Sequence, residues 1–168
     1  MSHHDEFETK LALLQEVLDK KQVALTMVLN ISENQETLYL SPASDERREF
    51  LLEMGKEKQK QIDDVLACDE VFQRIFDSIA NEFEEKKTSY VEQVRQMQHG
   101  INAVLELDVK IRAQEEKSKV LAAESFGQTQ RIAGQTNINP ANTNYILERY
   151  KEASKNRNGT LPLAAKED

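Results

Sequence analysis

Histidine, cysteine and carboxylate side chains are the groups of this chain that could carry chemistry, and the histidine spacing argues against a metal site. The three histidines are His3, His4 and His99. A di-iron site in a helical bundle needs Glu-x-x-His on two helices, but the residue three before His99 is Gln96. His3 and His4 lie in a polar N-terminal stretch that is better explained as an untethered segment. We therefore expect no metal ion and no cofactor.

The nucleophile and acid–base candidates also lack the arrangement that catalysis requires. Cys68 has no histidine near it in the sequence, and we predict a small buried residue in an apolar turn. Adjacent carboxylates point to different parts of a helix surface, which is typical of solvated side chains; they are Asp63 and Asp64, Glu84 and Glu85, and Glu115 and Glu116. There is no Gly-rich phosphate loop, no His-Glu-x-x-His and no Gly-x-Ser-x-Gly motif. We expect a protein that is not an enzyme.

Composition and charge exclude several classes of binding protein. The 168 residues include 5 Gly and 3 Pro, and 31% of them are charged against 39% apolar, a balance typical of long amphipathic helices. The net charge is −8, and the one basic cluster (Lys56, Lys58 and Lys60) is interrupted by Glu57, which predicts a solvated helix face. Nucleic acid binding needs a clustered positive face, and a membrane span needs about 20 apolar residues. With an N-terminus unlike a signal peptide, we expect a cytoplasmic protein without nucleic acid binding or membrane insertion.

The first periodic segment predicts a long amphipathic helix from about Asp5 to Leu40. Its apolar residues recur in steps of three and four, which places them on one helix face. Lys21 occupies a position where the pattern would have an apolar residue. The apolar members are Phe7, Leu11, Leu14, Leu18, Leu25 and Val28. Such a helix needs partner helices to cover its stripe.

A stop and a restart follow this helix. Pro42 suits the first turn of a new helix, and Ser41 or Ser44 can cap its free amide groups. The second helix is predicted to run to about Leu66.

A third helix could begin after Asp69 and run from Glu70 to Phe126. Its seam is regular; the members are Phe72, Phe76, Ile79, Phe83, Tyr90, Val94, Met97, Ile101 and Val104. However, the heptad spacing from Ile62 to Phe72 is unbroken. One continuous helix from Ser44 onward is therefore an open alternative.

These lengths predict an all-α fold, an elongated antiparallel bundle of three long helices with coiled-coil-like packing. A third helix of about 57 residues would outreach a first helix of about 36 residues, so its C-terminal part is predicted to overhang. The bundle domain is expected to span residues 1–127. Residues 128–168 are expected to hold an Asn-rich loop, a short helix at Tyr145–Tyr150 and a loose tail. The apolar island at Val120–Phe126 would be a binding surface, or would be covered by that short helix.

The segment VLELDVKIRAQEEKSKVL at residues 104–121 resembles the C-terminal helix of FlgN-type flagellar type III export chaperones, in the form found in clostridia. The segments DEVFQRIF at residues 69–76 and YILERY at residues 145–150 are similar to other segments of that family. Within residues 104–121, Ser118 stands where the family has a polar Asn. The resemblance implies a chaperone that binds the C-terminal helices of hook–filament junction subunits and keeps them unpolymerised. It also implies delivery of these subunits to the flagellar export apparatus, with no cofactor.

On this hypothesis, the client helix docks against the C-terminal half of the third helix, in a helix-against-groove mode. The expected contacts are Leu107, Ile111, Gln114, Ser118, Leu121 and Phe126. The chain is expected to be a monomer or a weak homodimer.

Two other functions remain open at this point. The strict seam from Phe72 to Val104 would also suit a coiled-coil adaptor or structural protein that self-associates through it. A secreted needle-like or tail-like helical component is the other possibility.

Overall fold

Three long helices form the part of the chain that the structure describes, which is residues 3–133, with side chains described from residue 6 to residue 124. In this computed structural model α1 spans His3–Tyr39, α2 spans Asp45–Lys86 and α3 spans Val91–Ala133. A 3-10 turn at Lys87–Ser89 joins α2 to α3. No strand occurs between residues 3 and 133, so the prediction of an all-α fold with three helices is confirmed. The predicted helix at Tyr145–Tyr150 lies outside the described residues.

Local sequence explains where α2 begins. Ser44 is extended, with φ −159°, and its hydroxyl oxygen accepts a hydrogen bond from the Arg47 backbone amide at 3.0 Å. Asp45 and Glu46 occupy the first turn, where their charges favour the positive end of the helix dipole. Of the two predicted caps, Ser41 and Ser44, it is Ser44 that caps α2. Pro42 lies before the helix, so its predicted place in the first turn is wrong.

The predicted break between a second and a third helix at Asp69 is wrong. Asp69 lies in the middle of α2, which continues to Lys86. The alternative of one continuous helix from Ser44 onward holds as far as Lys86 and fails at the turn Lys87–Ser89. Its carboxylate pairs with the Lys21 ammonium of α1, so it fills a seam position and does not cap a helix. The actual turn lies between Phe83 and Tyr90, which are seven residues apart. One full heptad separates these two aromatic residues, so the sequence pattern passes through the turn without a visible break.

The helix lengths also differ from the prediction. α1, α2 and α3 have 37, 42 and 43 residues. The prediction of a third helix of about 57 residues, on which the predicted overhang depended, is therefore wrong. α3 passes through Gly127, the expected end of the bundle domain, and continues to Ala133.

Pairs of contacting side chains give the direction of each helix. Phe7 of α1 packs against both Phe83 of α2 and Tyr90 of α3, with ring centroids 6.3 and 5.3 Å apart. Ser32, farther along α1, contacts Glu115 of α3 and Lys58 of α2. Residue numbers therefore rise together along α1 and α3 and fall along α2, so α2 returns alongside α1.

α1 is the central helix of the three. It packs closely against α2 and α3, whereas no Cα atom of α2 lies within 8 Å of a Cα atom of α3 in the described residues. All of the apolar seam positions predicted from the sequence for α1, and those predicted from Phe72 to Val104, are buried. The core is thus a continuous seam along α1 that α2 and α3 cover from two sides.

The two halves of this seam differ in chemistry, and we name them by their composition. The apolar half comprises residues 6–27, 63–86 and 90–107, and Lys21 is its one buried residue with a charged or polar side chain among those described. The polar half comprises residues 28–39, 45–62 and 108–124. Its buried polar side chains are Ser32, Gln35, Arg47, Lys58, Gln61, Asp108, Glu115 and Ser118.

Candidate functional site

A buried cluster of polar side chains crosses the centre of the polar half, and we call it the polar layer. It consists of Ser32 and Gln35 from α1, Lys58 from α2 and Glu115 from α3. The Lys58 ammonium donates to Glu115 Oε1 at 2.8 Å, to Ser32 Oγ at 3.5 Å and to Gln35 Oε1. Ser32 Oγ also donates to Glu115 Oε1. One cation therefore links all three helices.

Heptad spacing places these residues in the core. Lys58 lies seven residues after Leu51 and seven before Val65, both of which are buried. Glu115 follows the buried Ile111 by four residues, in the same seam of α3. Each side chain of the Lys58–Glu115 pair is 1% exposed. The prediction of a solvated helix face is wrong for these two residues.

Their neighbours in the sequence behave as predicted. Lys56, Lys60 and Glu116 are exposed, because they lie off the seam. The signal that could have identified Lys58 and Glu115 is their position in the heptad repeat, since residue type alone suggests a solvent-exposed side chain.

The hydrogen bonding of the polar layer is incomplete. Glu115 Oε2 is buried and accepts no hydrogen bond from the described residues. A buried ion pair of this kind adds little or no net stability relative to apolar residues of similar volume, because desolvation offsets the attraction. Removing one partner alone is costly, since an uncompensated charge then stays in the core. The polar layer therefore fixes which side chains must face one another, while contributing little cohesion.

A second set of polar contacts lies at the α1–α3 edge of the same half. Glu36 accepts hydrogen bonds from Lys117 and Gln114, each at 2.6 Å. These hydrogen bonds, with Lys117 the larger cause, hold the pKa of Glu36 below its ordinary value of 4.5. Beyond them, Arg112 donates to the buried Asp108 at 2.9 Å. The two contacts of Glu36 tie α3 to α1, whereas the Arg112–Asp108 pair lies within α3.

The structure places the residues predicted to contact a client largely inside the bundle. Ile111 and Ser118 are fully buried, and Leu107 is half-buried against the core. Leu121 is half-buried, and the Phe126 side chain lies outside the described part of α3. The predicted uncovered surface is therefore not present at Ile111 or Ser118, because α1 lies alongside this part of α3.

Gln114, another residue predicted to contact a client, makes its hydrogen bonds within the bundle. Its side-chain amide donates to Glu36 Oε2 at 2.6 Å and to Ser118 Oγ at 3.5 Å. Both of its contacts are thus made within the bundle, one to α1 and one along α3. A client could contact these residues only by replacing part of the present packing.

The apolar half holds its own buried cation in a different setting. Lys21 pairs with Asp69, whose side chain is 23% exposed, so water reaches this carboxylate. Cys68, beside it, is half-buried in the middle of α2 and does not lie in the predicted turn. Burial raises the pKa of the Cys68 thiol, and the Asp69 charge adds to this effect. A raised pKa keeps the thiol protonated and unreactive at neutral pH.

Two further findings concern the described residues as a whole. No group of three or more His, Cys, Asp or Glu residues is arranged to hold a metal ion in residues 3–133. None of the helices within this range combines the length and apolar character that crossing a membrane requires.

Comparison with known proteins finds no matching family model, no matching curated protein and no matching solved structure.

Proposed function

We propose that this chain is a cytoplasmic export chaperone that binds the C-terminal amphipathic helix of flagellar hook–filament junction subunits. It would keep these subunits unpolymerised and deliver them to the flagellar export apparatus, without catalysis or a cofactor. The observation that carries the proposal is the polar layer, which makes one half of a long helical bundle easier to open than the other. The resemblance of residues 104–121 to the C-terminal helix of FlgN-type chaperones supports the same half as the binding region.

The energetics of the polar half favour exchange of one helix contact for another. Apolar burial supplies about 25 cal/mol per Å² of buried surface, and the polar half has given up several apolar core positions to polar side chains. Opening it costs less hydrophobic free energy than opening the apolar half would. The apolar half would keep the fold intact while the polar half accepts a partner.

The side between α2 and α3 is the most accessible route into this half. These two helices do not approach within 8 Å at their Cα atoms, and the long side chains of Lys58 and Glu115 bridge them. In this half Leu52 of α2 is 37% exposed and Leu121 of α3 is half-buried. An amphipathic helix that displaces the ion pair would find apolar partners such as Ile62 and Ile111 beneath it.

The proposal is tested by making the polar layer apolar. The double substitution Lys58→Met with Glu115→Leu replaces the ion pair with residues that pack, so we expect a higher Tm. It should also weaken client binding by about tenfold or more, because the closed bundle becomes harder to open. Calorimetric titration with purified hook–filament junction subunits measures the binding, and thermal unfolding measures the Tm.

The Lys21–Asp69 pair supplies a matched control. The double substitution Lys21→Met with Asp69→Leu removes an ion pair of the apolar half and should leave client binding unchanged. If the wild-type chain forms no complex with any such subunit, the proposal is wrong. An equal loss of binding in both double variants would show that opening of the polar half is not the binding step.

The alternative of a coiled-coil adaptor that self-associates through its seam receives less support. Phe76, Ile79 and Met97 are at most 6% exposed because they pack within one chain. Self-association through that seam would require the bundle to unfold first. A dimer that forms only with loss of these intrachain contacts would favour the adaptor.

A further inference from the structure

One oxygen of the buried Glu115 carboxylate has no donor in the part of the chain that the structure describes. Glu115 Oε1 accepts from the Lys58 ammonium at 2.8 Å and from the Ser32 hydroxyl, whereas Oε2 accepts from neither. The side chain is 1% exposed. A buried acceptor without a donor costs the free energy of its desolvation, and this cost is larger for a charged group. Glu115 therefore offers a hydrogen-bonding position that a ligand with a suitable donor could fill.

The Lys58 ammonium does not fill that position while it keeps its present contacts. Its three hydrogens serve three acceptors, which are Glu115 Oε1, Ser32 Oγ and Gln35 Oε1. An ammonium acts as a point charge, whereas the planar guanidinium of arginine presents parallel N–H groups that bind both oxygens of one carboxylate. A guanidinium is also more weakly hydrated, so moving it into a buried site costs less. The unfilled oxygen therefore favours a guanidinium over an ammonium.

The same seam of α3 already contains a carboxylate that is paired with a guanidinium. Asp108 lies one heptad before Glu115, and its side chain is 3% exposed. It accepts a hydrogen bond from Arg112 Nη2 at 2.9 Å. The first buried carboxylate is thus paired with arginine and the second with lysine, although the two occupy equivalent heptad positions. This difference leaves the second carboxylate open to an exchange of partner.

We propose that the Glu115 carboxylate is a recognition site for a guanidinium group, which an arginine in the apolar stripe of the client helix supplies. The inference rests on the proposed chaperone function for the source of the arginine. When the client helix opens the polar half, its guanidinium donates to both Glu115 oxygens and replaces the Lys58 ammonium. The long side chain of Lys58 then carries its ammonium to solvent. A client without this arginine leaves the carboxylate buried and unpaired, so Glu115 selects among clients.

Chemical rescue in the full chain tests the preference for guanidinium without any client. Lys58→Ala removes the ammonium and opens space beside Glu115. Thermal unfolding is measured with ethylguanidinium chloride or ethylammonium chloride at about 50 mM, far below the molar concentrations at which guanidinium denatures proteins. We expect ethylguanidinium to raise the Tm of this variant more than ethylammonium does. An equal or larger increase with ethylammonium would overturn the proposal.

Lys21→Ala is the matched control, because it removes the other buried lysine and leaves Asp69, whose side chain is 23% exposed. Water solvates that carboxylate, so the two salts should change the Tm of Lys21→Ala equally. A preference for ethylguanidinium in both variants would be a general effect of the salt and would overturn the assignment to Glu115. If Lys58→Ala is unfolded without added salt, circular dichroism should show that ethylguanidinium restores its helices and ethylammonium does not.

Binding to purified hook–filament junction subunits tests the source of the arginine and does not require Lys58→Ala to fold. Each arginine in the C-terminal helix of the subunit is replaced by lysine in turn. Calorimetric titration compares the wild-type chain with the isosteric variant Glu115→Gln. We expect one of these replacements to weaken binding to the wild type by about tenfold and to leave binding to Glu115→Gln unchanged.

The two experiments separate failure of this inference from failure of the proposed function. A complex in which no arginine replacement depends on Glu115 would overturn the inference and leave the chaperone function standing. Absence of any complex would overturn the chaperone function together with the client as the source of the arginine. The salt measurements would then still decide whether Glu115 recognises a guanidinium.

Discussion

At one end of the bundle Phe7, Phe83 and Tyr90 pack ring against ring, whereas at the other end equivalent seam positions hold Ser32, Lys58 and Glu115. The helices, the heptad spacing and the central position of α1 are common to both ends. The apolar half derives its cohesion from burial and is insensitive to partner identity. The polar half gains little stability from its ion pair, but it accepts only a partner that satisfies the buried charges of Lys58 and Glu115. The difference separates a part that holds the fold from a part that can exchange contacts.

The two buried lysines provide the strongest test of this comparison. Lys58→Ala leaves the Glu115 carboxylate in a fully buried site, so we expect a loss of about 3–5 kcal/mol in the free energy of unfolding. Lys21→Ala leaves Asp69, whose side chain is 23% exposed, so water can solvate the charge and the expected loss is about 1 kcal/mol. Urea unfolding of both variants measures the difference. Equal losses would mean that the two ends of the bundle are electrostatically alike.

Hydrogen exchange tests the comparison without any substitution. Amides of residues 32–38 in α1 should exchange faster than those of residues 14–25 by about tenfold or more, since local opening needs less free energy where less apolar surface is buried. Exchange followed by mass spectrometry or NMR resolves the two segments of this one helix. Uniform protection along α1 would show that the bundle opens as a single unit.

The cap of α2 should affect the polar half selectively. Ser44→Ala removes the hydrogen bond to the Arg47 amide and should cost about 1 kcal/mol of stability. Because this helix end belongs to the polar half, we expect faster exchange near residue 50 and unchanged exchange near residue 76. Faster exchange at both sites would contradict opening of the polar half independently of the apolar half.

The smallest expected effect concerns pH. Hydrogen bonds from Lys117 and Gln114 lower the folded pKa of Glu36 below 4.5, so this carboxylate stabilises the fold above the unfolded pKa. The contribution is lost as the pH falls from about 4.5 through the lower folded pKa. Lys117→Ala should raise the pKa of Glu36 in an NMR titration. An unchanged pKa would show that the contact with Lys117 is not maintained in solution.

Much of the apolar core could be predicted because hydrophobic periodicity reports it directly. Leu11, Leu25 and Ile101 follow steps of three and four, and all are buried. Lys21 was also assigned to the seam from spacing alone. Physical interactions across the bundle were harder to predict, since the partner of Lys58 lies 57 residues away in the sequence.

Two errors in the prediction have the same origin. Asp69 looked like a helix cap, because acidic residues favour that position, but it pairs with Lys21 in the core. The real turn after Phe83 left the heptad phase intact, so it gave no signal. Helix ends are set by local contacts, whereas the heptad repeat reports only which side of a helix is buried.

The 3-10 turn at Lys87–Ser89 is the covalent link between α2 and α3. Glu115 lies about 38 Å from this turn along α3, at about 1.5 Å per residue. A rotation of about 6° at the turn would therefore displace the Glu115 end of α3 by about 4 Å relative to α2, enough to separate the partners of a hydrogen bond. Substitutions at Lys87–Ser89, which do not contact the polar layer, can thus change how often the Lys58–Glu115 pair opens, because they make this turn stiffer or more flexible.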